Sequence, residues 1–224
     1  MPSQSLARRL TAEGLGTGLL LAAIVGSGIM GERLSGGISA LALFCNSTAT
    51  GAMLIVLIGA MGPVSGAHFN PLVTIAFLLR REIERHTALA YIVVQIAGMG
   101  TWAAHLMFGV APFELATKAR SEPALWFAEA VATFGLILTI FGALRWRAEM
   151  VPTMVGLYIA AAYWFTASTS FANPAVTIAR ALTDTFTGIA PSSVPAFIAA
   201  QTSGTLVGLV LSVWLFGQSA TRGE

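Results

Sequence analysis

The chain has 224 residues, of which 56% are apolar and only 10% charged, with mean hydropathy +0.78 and net charge +2. Soluble domains carry roughly 25% charged residues, so most of this surface is built to face lipid, and a small charge dispersed over span ends excludes a nucleic-acid footprint. The lone Cys45 excludes an internal disulfide and a multi-cysteine metal site, and reads as a small apolar residue inside a span.

In chain order, the opening "MPSQSLARRLTAEGLGTGLLLAAIVGSGIM" has the basic start and apolar run of a signal peptide. The run continues for about the 20 residues a membrane helix needs, so it is predicted to be a retained first helix. Apolar windows of spanning length lie near 10–30, 39–62, 87–110, 124–144, 151–168 and 194–217, which predicts six spans. Turn-like or charged breaks such as "GERLSGG", "LRREIERH" and "RWRAEM" separate them. Two runs, near 70–79 and 173–183, are left over, each about half a crossing length.

Three blocks recur in order. "AEGLGTGLLLAAI" resembles "AEAVATFGLILTI", "NPLVTIA" from Asn70 resembles "NPAVTIA" from Asn173, and "YIVVQIAG" resembles "FIAAQTSG". Apolar helices alike by chance would not keep Glu, Asn-Pro and Gln in step, so the chain reads as one channel domain, 1–224, made of two halves near 8–110 and 124–217. Each half has three spans, an odd number, so the second must enter the membrane from the opposite face. With the N-terminus inside, eight of the twelve basic residues (Arg8, Arg9, Arg80, Arg81, Arg85, Arg145, Arg147 and Arg222) fall on the inner side, which predicts both termini in the cytoplasm.

Proline suits the first turn of a helix, where its missing N–H would be unpaired anyway, and asparagine before it is a good N-cap. Asn70-Pro71-Leu72 and Asn173-Pro174-Ala175 are therefore predicted to start two half-helices that meet head to head at mid-membrane. Irregular backbone at that depth is tolerated only where it is buried or lines a cavity. Two N-termini on one point each carry about half a positive charge. Such a place repels cations and protons and accepts neutral hydroxylic molecules, as a pore waist would. Gly98, Gly204 and Gly208 mark close helix approaches.

With Glu13, Glu129, "SGAHFNPLVTIAF", "YIVVQIAG" and "SFANPAVTIAR", nearly the whole chain resembles the major intrinsic protein family, the aquaporins and aquaglyceroporins. The resemblance implies an all-α membrane fold of six tilted helices plus two re-entrant half-helices in an inverted repeat. It also implies one pore per subunit, a homotetramer in a bacterial-type plasma membrane, and no cofactor. Glu13 and Glu129 are implied to accept hydrogen bonds from the half-helix loops. His68 reads as a hydrogen-bonding residue of the first re-entrant loop, with a pH-sensitive gate as the alternative. The family's outer filter falls by its pattern on Thr50, Ala161, Ser170 and Val176. Most members carry arginine where this chain has Val176, and usually alanine where it has Leu72. The set here is small and uncharged, which resembles bacterial members associated with arsenic detoxification. Arg180, one turn beyond Val176, is expected to snorkel to the interface as an anchor, with a role at the pore mouth as the alternative.

The function expected is passive conduction of small neutral solutes: undissociated metalloid acids such as arsenite, glycerol-like polyols and water. The alternatives are a mainly water-selective pore and, from another class, an ion-coupled transporter, since inverted repeats also build those. No nucleophile-elbow, P-loop or zinc pattern points to an enzyme, and His86 and His105 have no partner ligands nearby in sequence.

Overall fold

The protein is described here from a computed structural model covering residues 4–98 and 100–217; Arg222, counted above on the inner side, lies outside the described residues. Helix α1 (Leu6–Leu34) begins at Ser5, whose side chain accepts from the Arg8 N–H. Helix α2 (Ser39–Ser65) ends where Gly66 turns left-handed at φ 89°, a conformation glycine adopts without steric cost. The first half continues through α3 (Pro71–Leu79), α4 (Arg85–Ile96) and α5 (Gly100–Phe108). The second half repeats the order with α6 (Pro123–Trp146), α7 (Val151–Phe165), α8 (Pro174–Arg180) and α9 (Val194–Phe216).

Of the six spans expected, five are long and apolar enough among the described residues to cross a membrane by length and composition alone, and α7 is the sixth and shortest. The fifth expected span, 151–168, is helical only over the 15 residues of α7. That rises about 22 Å, short of the roughly 30 Å hydrocarbon core. Thr166 leaves the helix in extended geometry, because the chain must turn back there to enter the second half-helix. The third span is broken into α4 and α5 around Gly98, whose N–H turns to the Gln95 carbonyl at 3.3 Å. A Cβ at Gly98 would meet the Gly18 nitrogen of α1 at an ordinary 3.4 Å, whereas one at Gly100 would come within 2.6 Å of Leu21 Cβ, so it is Gly100 that serves the close approach to α1.

Helix α1 packs on α2, α4 and α5, α6 packs on α7 and α9, and α2 joins the halves by crossing α7. The α2–α7 crossing is tight at Gly51, where a Cβ would come within 2.7 Å of the Gly156 carbonyl. Gly208 plays the same part on α9, 2.9 Å from the Phe134 carbonyl by the same measure. The half-helices α3 and α8 both lie between α4 and α9. The core runs along the seam between the halves, with Leu20, Ile24, Leu54 and Ile58 packed with Leu136, Ile140, Val155 and Ile159. Val56, Val93, Leu157, Val210 and Trp214 point outward, the reverse of a soluble protein and what a lipid-facing surface requires.

Candidate functional site

The two Asn-Pro heads do cap helices. The Asn70 carboxamide oxygen accepts from Leu72 N–H at 2.9 Å, and that of Asn173 accepts from Ala175 N–H at 3.0 Å and Val176 N–H at 3.4 Å. Pro71 and Pro174 occupy the first helical positions, and Leu72 and Ala175 are buried behind them, off the cavity. The amide nitrogens reach across the pair. Asn70 Nδ2 donates to the Ala172 carbonyl and Asn173 Nδ2 to the Phe69 carbonyl, both at 2.8 Å. Each NH2 carries two protons, so this reciprocal clasp leaves one donor per asparagine for other use.

The loops leading into the clasp are held in unusual backbone. Ala67 and Phe69 in the first, and Thr169, Ser170 and Ala172 in the second, all have positive φ between 47° and 65°. Side-chain-bearing residues hold that conformation only when the surroundings over-determine it. Glu13 and Glu129 supply the determination. Glu13 accepts from His68 N–H at 3.0 Å and Phe69 N–H at 2.8 Å. Glu129 accepts from Phe171 N–H at 2.8 Å and Ala172 N–H at 2.9 Å. Both carboxylates are fully buried, and each also takes a glutamine, Gln95 at 2.8 Å and Gln201 at 2.6 Å. The glutamines go on to Thr74 and Thr177, whose hydroxyls donate to the Asn70 and Asn173 carbonyls. His68 stands where expected, with Nδ1 3.1 Å from the Thr74 hydroxyl and its ring stacked on Phe77.

Both asparagines open onto one cavity of about 100 Å³. One wall is apolar, with Leu20, Ile24, Leu136 and Ile140, and the other is made of the two loops. Thr50, Ser170 and Val176 are among its lining residues. Ala161 is not. It lies on the exposed face of α7, and Tyr163 takes its place in the lining with its hydroxyl 3.3 Å from that of Thr50. The reason is helical phase: Ile159 and Tyr163, four residues apart, share the inner face, and a residue midway points about 200° away. An aromatic is therefore present at this level after all. The Ser170 hydroxyl is buried and has no partner among the described residues.

Arg180 also differs from expectation. It does not snorkel: it is 2% exposed, its Cζ sits 3.4 Å from the centre of the Phe171 ring, and its Nε donates to the Thr187 carbonyl. Helix α8 ends at Arg180 and the chain folds back over it, with Ile189 N–H on the Arg180 carbonyl at 3.2 Å, so the side chain is enclosed. Sequence reading also missed Tyr163, Phe171 and the two threonines; the Gln95–Gln201 repeat was the available signal for the buried polar chain.

The model of the major intrinsic protein family matches residues 1–170. Aquaglyceroporin AqpS of Rhizobium meliloti (strain 1021) is 52% identical over 217 residues, covering 96% of this chain and 93% of that protein. Aquaporin NIP3-1 of Oryza sativa subsp. japonica is 30% identical over 72% of this chain and 52% of its own length. The X-ray structure of the aquaglyceroporin from Plasmodium falciparum superposes with a TM-score of 0.70 at 18% identity, over 97% of this chain and 98% of that one, which shows a shared fold. The chain belongs to the major intrinsic protein family.

Proposed function

We propose that this membrane channel conducts small neutral solutes, glycerol-like polyols and undissociated metalloid acids such as arsenite along with water. The observation that carries the reading is the cavity onto which both half-helix N-termini open, whose wall includes Thr50, Tyr163, Ser170 and Val176 and, among the described residues, no Asp, Glu, Lys or Arg side chain. The converging positive helix ends oppose cations. The free asparagine protons and the Ser170 hydroxyl offer hydrogen bonds that replace part of a solute's water shell, and the apolar wall accepts its carbon face. Val176 in place of an arginine leaves width and removes a fixed charge.

An ion-coupled transporter needs an ionisable group at its substrate site. Glu13 and Glu129 are instead occupied by loop donors and lie off the cavity lining. A mainly water-selective pore is favoured by one observation, the Tyr163 ring beside Thr50. Both termini are taken to be cytoplasmic, the two halves to form one pore, and four subunits to assemble.

Stopped-flow light scattering on proteoliposomes under water, glycerol, urea and arsenite gradients tests this. Glycerol and arsenite flux well above empty vesicles is expected. Water flux alone would establish the narrow-pore reading in its stead.

A further inference from the structure

Next to the first cavity, with Thr169 in its wall beside Ser170 of the other, lies a second cavity of about 360 Å³. Three cations, Lys118, Arg120 and Arg180, share its wall with Asn46, Trp164 and Thr169. The stretch carrying Lys118 and Arg120 is tied across the segment after α8, by Ala116 N–H to the Ala181 carbonyl at 3.0 Å and Ala190 N–H to the Lys118 carbonyl at 2.7 Å. Each cation is then fixed on backbone oxygen. Lys118 Nζ donates to the Phe186 carbonyl at 3.1 Å, and Arg120 donates to the Gly188 and Ser168 carbonyls at 3.3 and 3.2 Å. Arg180 donates to the Thr187 carbonyl, and both arginines lie over the one Phe171 ring.

No carboxylate pairs directly with any of the three, although Glu129 acts on both arginines from a distance. Among the described residues none of them has an acidic oxygen within 4.0 Å, and the nearby Asp184 is taken up by the Thr117 N–H and hydroxyl. Partial desolvation at the cavity wall and the neighbouring arginines together push the amine of the otherwise exposed Lys118 below its ordinary pKa, against a weaker pull from Glu32 and Asp184. Most telling is Arg180 Nη1, which is buried and has no partner among the described residues. A buried charge that lacks a directly paired counter-charge and part of its hydrogen bonding is costly. Carbonyl dipoles orient these groups without cancelling their charge.

We propose that this cavity is a binding site for a small oxyanion, a carboxylate or a phosphate- or sulfate-sized ion, held by Lys118 and Arg120 with the Arg180 guanidinium set behind them in the wall. The anion supplies the missing negative charge, and its oxygens accept charge-assisted hydrogen bonds from planar guanidinium and point-charge ammonium donors. Thr169 lines this cavity while its neighbour Ser170 lines the other, so the occupant sits beside the first cavity. The site goes beyond the pore reading and does not depend on it.

The test is a titration of the detergent-solubilised full chain with sodium sulfate, and separately sodium acetate, at constant ionic strength. The signal is tryptophan fluorescence, with Trp164→Phe as the blank because Trp164 lines the cavity. Saturable binding near 1 mM, on the order of that expected for a few charge-assisted contacts, is the expected result for at least one anion. Lys118→Gln should weaken it roughly tenfold and Lys118→Arg should keep it. Lys118 is exposed, so both variants fold. A linear, unsaturating response to both anions, or equal affinity in Lys118→Gln, would overturn the site. Binding is read without flux, so a failure of glycerol and water to cross in vesicles would strike the pore reading alone.

Discussion

The two halves of the molecule carry one scaffold and opposite chemistry at their mouths. Glu13, Gln95, Thr74 and Asn70 are matched link for link by Glu129, Gln201, Thr177 and Asn173. The aromatic supports match as well: His68 meets Tyr91 edge-on at 5.5 Å, and its counterpart Phe171 meets Phe197 edge-on at 5.3 Å. The divergence comes at the next position. His68 stacks on Phe77 at 4.5 Å, whereas Phe171 carries Arg180 at 3.4 Å. Both Phe77 and Arg180 stand seven residues after their asparagine. Duplication has thus preserved whatever holds the loops in left-handed backbone, and varied whatever faces the entering solute. One mouth received an aromatic and the other a cation.

The largest expected effect tests the shared scaffold. Glu13→Ala strands two backbone N–H groups, Ser65 and Gln95, while Glu129→Ala strands two N–H groups and Gln201. Losing an acceptor for so many buried donors costs about 3–5 kcal/mol. Melting in detergent should show both variants severely destabilised, Glu13→Ala the more so. Equal melting would mean that the fourth donor, Ser65, contributes nothing.

Next comes the divergent level. Val176→Arg puts a long cation beside Thr50, Tyr163 and Ser170, and should cut glycerol flux roughly tenfold, about 1.4 kcal/mol of barrier, while water flux falls less. An unchanged glycerol-to-water ratio at equal expression would remove Val176 from the narrow level.

A weaker effect is expected at the clasp. Asn70→Asp and Asn173→Asp each place a carboxylate at a helix N-terminus and offset its positive end. Voltage-clamped oocytes should report increased cation leak for both. The leak should be larger for Asn70→Asp, because Arg180 lies on the half-helix that Asn173 caps and offsets a carboxylate placed there, whereas Phe77 stands at the matching place after Asn70. A larger leak from Asn173→Asp would dissociate the cationic mouth from cation exclusion.

The smallest effect separates the threonines. The Thr74 hydroxyl meets His68, Gln95 and the Asn70 carbonyl, while Thr177 meets only Gln201 and the Asn173 carbonyl. Thr74→Val should cost about 1 kcal/mol more than Thr177→Val, the worth of one further hydrogen bond. Parity would show that the His68 contact adds nothing to stability.

The sequence by itself determined what is local or repeated. The Asn-Pro caps follow from the side chain and ring of two adjacent residues, and the duplicated Glu, Asn-Pro and Gln announced a second copy of one scaffold before any contact was known. Lipid exposure follows from composition. Residues whose place depends on where two helices cross, or on how far a helix has turned, were decided by the tertiary structure. Ala161 and Tyr163 differ by two positions, and only the phase of α7 against α2 puts the tyrosine hydroxyl on Thr50 and the alanine outside. Arg180 reads as an ordinary interfacial anchor until the chain folds back through Ile189 and Lys118 and closes over it. That enclosure brings together residues more than sixty positions apart in the chain, so no local pattern of charge or periodicity could carry it.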